Sequence, residues 1–176
     1  MQKEITLKNL GTVMGGDPTD KVILLIDGTN KIEEFLTHQG HIIDINKIYL
    51  RKQIGQISDE ELDKEIRHTI VNRLQDGDKI GLFLDVCLNL IEFFGQFKWF
   101  DKSTFFNMKN LLSRDYFVKN NILHSDEDKD NFGNKGGWEP YGKAMLFVLI
   151  NASTKEDFDK IKNNFPEENF EYVYVK

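Results

Sequence analysis

The sequence predicts an α/β domain: one mostly parallel sheet with helices on both faces. Three observations predict it. Val22–Ile26, Ile80–Leu84 and Ala144–Ile150 are unbroken apolar runs, the pattern of strands buried on both faces. The stretches between them carry apolar residues at helical spacing. A chain of 176 residues has enough material for one hydrophobic core.

Taken in order, residues 1–20 read as a leader, with a short extended piece (Ile5-Thr6-Leu7) and a turn-rich break at Gly15-Gly16-Asp17-Pro18. A single α/β domain is expected over 21–176. Val22–Ile26 stops at Asp27-Gly28, after which Thr29 or Asn30 can cap a helix through Ile32, Phe35 and Leu36, ended by Gly40. His41–Ile57 fits a helix or a short strand. Ser58 with Glu61 makes a capping box for a helix whose stripe is Leu62, Ile66, Ile70 and Leu74, ending at Gly77. Its other face, with Asp63, Lys64, Glu65, Arg67 and Arg73, reads as a solvated surface. Ile80–Leu84 is the second strand and ends at Asp85.

Asp101 or Ser103 is expected to cap a helix that turns Phe105, Met108, Leu111 and Leu112 inward. Residues 120–142 are polar, acidic and glycine-containing, which makes them the long loop of the domain, and such loops are functional or disordered. After the third strand, Thr154 caps a helix through Phe158 and Ile161 that halts at Pro166. Phe170–Val175 alternates and is expected to be an edge-like last strand.

Composition excludes several classes. The net charge of −6, from 29 acidic and 23 basic residues, argues against a large nucleic-acid footprint. Cys87 is the single cysteine, so neither a disulfide framework nor a thiolate zinc site is available, and it reads as a small buried residue. The first residues lack a signal-peptide profile and no window has the ~18 apolar residues of a membrane span. A cytoplasmic protein without membrane contact is expected.

In open parallel sheets ligands bind outside the carboxyl ends of the strands, here Asp27-Gly28, Asp85 and Asn151. Asp27 and Asp85 become a metal pair if their strands are neighbours; otherwise Asp27 caps the following helix and Asp85 starts a turn. A P-loop requires G-x-x-x-x-G-K-[ST] after the first strand, so that backbone amides hold the phosphates. The chain offers Asp27-Gly28-Thr29-Asn30-Lys31 there, and the glycines at 15 and 16 precede the strand. Asp27-Gly28-Thr29 also looks like the end of the haloacid-dehalogenase motif, but Leu25 occupies the nucleophile position and cannot form an aspartyl phosphate.

Val22–Ile26 followed by Asp27-Gly28-Thr29-Asn30 resembles the opening strand of PIN/NYN ribonucleases, which gather carboxylates around Mg²⁺ or Mn²⁺. That resemblance implies Asp27, Asn30 and Asp85 as site residues, joined by Asp126 and Asp128 from Ser125-Asp126-Glu127-Asp128. Asp128, Asp130, Gly133 and Glu139 also fall at positions 1, 3, 6 and 12 of a calcium loop, with Phe132 where an oxygen ligand belongs. His38, His41, His68 and His124 show no ligand spacing with one another, and Trp99 and Trp138 read as packing anchors.

Across residues 20–160 the pattern resembles the degenerate P-loop-like domain found toward the C-terminus of ciliary proteins with IQ motifs and ankyrin repeats. The residues that carry this are the strand and helix without a phosphate-binding lysine, the Asp59–Asp85 helix-to-strand unit, and Leu111–Tyr116 leading through a polar loop into Ala144–Ile150. The ankyrin and IQ segments are absent from this chain. The resemblance implies a non-catalytic structural or interaction subunit, a pseudoenzyme in a larger assembly such as an axoneme, with other protein chains as partners and no cofactor. Its alternatives are a PIN/NYN-like metal-dependent ribonuclease and a domain that keeps nucleotide binding without hydrolysis.

Fourteen Phe are more than a domain of this size readily buries. Phe93–Phe100 is too uniformly aromatic for one helical stripe, so Phe94, Phe97 and Trp99 are expected to form an interface, together with the 120–142 loop.

Overall fold

The structure, a computed structural model, describes residues 3–16, 19–38, 42–84, 105–124, 126–165 and 167–176. Its strands are β1 (Lys3–Ile5), β2 (Val22–Asp27), β3 (Ile42–Asp44), β4 (Lys79–Leu84), β5 (Met145–Asn151) and β6 (Phe170–Val175). They form a six-stranded sheet in the order β1-β6-β2-β5-β4-β3, and every pairing is parallel. The expected α/β architecture is the one observed.

The sheet has two apolar faces because successive strand residues point to opposite sides. Ile23 and Leu25 of β2 join Phe147, Leu149, Val173 and Val175 under α1 (Leu10–Gly15) and α2 (Ile32–His38). Val22, Leu24 and Ile26 face the larger cluster, built with α3 (Ile45–Gln53), α4 (Asp59–Asp76), α5 (Met108–Leu111), α6 (Arg114–Lys119) and α7 (Lys155–Asn164). The result is three layers, with β2 wholly buried and β4 and β5 nearly so in the middle one.

Local chemistry sets the helix ends. In α4 the Ser58 side chain accepts from the Glu61 amide while Glu61 reaches back to the Ser58 amide, the predicted capping box. Gly77 ends the helix with φ of 77°, and a Cβ there would lie 2.2 Å from the Tyr141 ring. Thr154 caps α7 in the same reciprocal way with Asp157. The ambiguous stretch after residue 41 uses both of its options: three residues of strand, then α3, whose first turn is capped by Asp44 accepting from the Lys47 amide.

Three expectations are corrected. Part of the stretch read as a leader belongs to the sheet, since β1 pairs with β6, and Leu10 and Met14 of α1 are buried. β6 is not an edge strand: it lies between β1 and β2. The start of the helix expected from Asp101 or Ser103 lies outside the described residues; Phe105 is helical, and Met108–Leu111 forms a separate short helix, where Asn107 accepts from the Lys109 and Asn110 amides. Arg67, read as solvated, is 1% exposed.

Most of the described aromatic area is internal. Phe106, Phe165 and Phe170 form a ring cluster with centroids 5.1–6.0 Å apart. Tyr172 donates its hydroxyl to the Phe165 carbonyl, which fastens β6 to the end of α7.

Candidate functional site

Two places were singled out by sequence, and the fold builds them differently. The first is the carboxyl edge of the sheet. Asp27 stands opposite Asn151 on neighbouring strands, and the Ala152 amide donates to the Asp27 carbonyl (3.1 Å). The chain leaves Asp27 toward the α2 face and Asn151 toward the α7 face, so the connections diverge to opposite sides of the sheet at these two strand ends.

Asp27 is fully buried and acts as the cap of the β2–α2 turn. Its Oδ1 accepts from the Thr29 amide (2.7 Å) and hydroxyl (2.6 Å), and its Oδ2 accepts from the Ile32 amide (2.8 Å). The Lys31 amide donates to Thr29 Oγ1 (3.2 Å) and the Gly28 amide to the Val175 carbonyl (3.1 Å). The amides of 29, 31 and 32 are therefore used inside the turn and that of 28 on β6, where a phosphate cradle would aim them outward. Asn30, implied by the ribonuclease resemblance as a site residue, takes the left-handed conformation (φ 56°) that lets the turn close. Asn151 Oδ1 is buried with no hydrogen-bond partner among the described residues. Asp85 lies outside the described residues, and β5 lies between β2 and β4, so the two strands are not the neighbours that the Asp27–Asp85 metal pair requires.

The second place is the 120–142 loop, which is anchored to the helices at several described positions. Arg67 of α4 donates to Asp128 (2.7 Å), to Glu127 (2.7 Å) and to the Ile122 carbonyl (3.1 Å). Asp128 is 3% exposed and also accepts from the His124 amide (2.6 Å). Trp138 is buried as expected of an anchor, and its indole N–H donates to the Val71 carbonyl (3.0 Å). Arg114 holds the carbonyls of Trp138 (3.1 Å) and Gly136 (2.8 Å), and Gln75 holds that of Lys129 (3.0 Å).

At the tip of this loop the Asp130 carboxylate accepts from the Phe132 amide, the Asn134 amide and the Asn134 side chain. Those bonds hold its carboxyl below the usual carboxylate range, the Asn134 side chain contributing most. The Glu127 carboxyl is lowered too, chiefly by the hydrogen bond from Lys64. The tip presents Phe132, which is 90% exposed, the one exposed ring among the described phenylalanine side chains.

Among the described residues, the sequence-implied carboxylates Asp27, Asp126 and Asp128 each have a separate partner. Asp27 is spent on its turn, Asp128 on Arg67, and Asp126 on Lys135 (2.9 Å). Among the described residues no group of three or more His, Cys, Asp or Glu could hold a metal ion. In the calcium-loop reading, Asp130 is turned inward on Asn134, and Glu139 lies 3.6 Å from Arg114. Phe94, Phe97 and Trp99 lie outside the described residues. Sequence reasoning missed Arg67 and passed over Phe132; the signal for Phe132 was its place beside Gly133 and between hydrogen-bonding Asp and Asn residues.

No family model matches the chain, and no curated protein matches it. Among solved structures the chain is similar to the Aeropyrum pernix ORC2 protein, solved in ADPNP–ADP complexes, at 9% identity and a TM-score of 0.31. The similarity covers 96% of this chain and 45% of that one, so this chain spans less than half of that protein's length. The sheet itself defines the class: an all-parallel, three-layer α/β domain. No helix among the described residues is long and apolar enough to cross a membrane.

Proposed function

We propose that this chain is a non-catalytic interaction subunit of a larger assembly, and that it engages another protein through the 120–142 loop. The observation that carries the reading is Phe132: an almost fully exposed ring on a loop fixed to α4 by buried bonds. Ordering a loop before binding removes part of the entropy cost of association, and an exposed aromatic is what an interface core uses. The strand edge supports the same reading from the other side, because its buried carboxylate and most of its turn amides are committed internally. An axonemal complex is the setting that the ciliary resemblance implies.

The retained-nucleotide alternative has one observation in its favour, the Asn151 Oδ1 at the carboxyl edge of the sheet, which has no hydrogen-bond partner among the described residues. A photo-crosslinking residue placed at position 132, with position 37 on the exposed face of α2 as control, tests the main reading. Crosslinks to a protein partner from 132 and none from 37 are expected. Saturable ATP or GTP binding that Asn151→Ala abolishes, or metal-dependent RNA cleavage by the unmodified chain, overturns it in favour of the corresponding alternative.

A further inference from the structure

We draw no further inference here: the strongest candidate, the exposed Phe132 at the tip of the 120–142 loop together with the groove beside the first half of α4, belongs to the surface already proposed for partner binding, and nothing in the structure shows what covers it.

Discussion

Asp27 and Asp128 are both buried carboxylates, and the chain holds them in opposite ways. Asp27 is satisfied by the amides of residues two and five positions ahead, plus one neighbouring hydroxyl. Asp128 is held through its Oδ2 by an arginine 61 residues back in the chain and by the His124 amide, while its Oδ1 is buried without a hydrogen-bond partner among the described residues. The first arrangement closes a turn and makes the strand edge rigid and self-contained. The second ties a polar loop to a helix and so turns that loop into a platform. The difference teaches that a carboxylate at the favoured edge of a parallel sheet need not be a site, while a loop without regular structure can be as firmly built as a strand.

The largest effect expected concerns the long-range pair. Arg67→Met should cost about 3–5 kcal/mol, because it leaves Asp128 charged and unpaired in the interior. The double variant Arg67→Met/Asp128→Leu should recover most of that loss, since both desolvated charges are then gone. Equal stability of the single and double variants in equilibrium urea unfolding would break the comparison.

The local carboxylate comes next. Asp27→Asn should destabilise by about 2 kcal/mol, because an amide nitrogen facing the Ile32 N–H cannot accept from it. Metal sites behave differently: removing a carboxylate from a repelling cluster raises the stability of the empty form. A gain in melting temperature for Asp27→Asn therefore speaks for the ribonuclease alternative, and a loss for the capping role.

Acid and base should separate the two regions. Glu127 and Asp130 of the loop, like Glu61 and Asp157 at the helix caps, have carboxyls lowered by their hydrogen bonds. A lowered pKa contributes stability that is present above the ordinary carboxylate range and is lost as pH falls through the folded value. Acid should thus loosen the loop and the caps of α4 and α7. Tyr172 works at the other end: burial pushes its hydroxyl up to about 12, so its contribution is intact below pH 10.0 and is lost between there and about 12. Tyr172→Phe should remove that alkaline limb and cost about 1 kcal/mol at neutral pH for the lost bond to Phe165. Chemical denaturation across pH measures both. Phe132→Ala is the smallest, within about 0.5 kcal/mol of the unmodified chain, as for an exposed residue that supports no packing.

What the sequence made legible follows the same division between local and distant contacts. Val22–Ile26, Ile80–Leu84 and Ala144–Ile150 announce themselves as buried strands because burial on both faces demands apolar residues throughout. The Ser58–Glu61 and Thr154 caps are readable because both partners lie within one helical turn. Asp27 as a cap was readable for the same reason. β1 was not, since three residues of an edge strand carry no period. Arg67 was not either: on a helical wheel it joins a charged face, and only the return of the chain at Ile122–Asp128 buries it. Phe132 was hidden by the opposite effect, because an apolar residue in a polar loop invites the expectation that it folds inward.

Native-state hydrogen exchange of the loop tests the account's central claim most directly, that residues 126–138 are an ordered platform and not a tether for Phe132. The amides of Asp130, Phe132 and Asn134, which donate to Asn134 and Asp130, should exchange at least about 100-fold more slowly than in an unstructured chain, and lose that protection in Arg67→Met. Unprotected exchange at these three amides in the unmodified protein would contradict it.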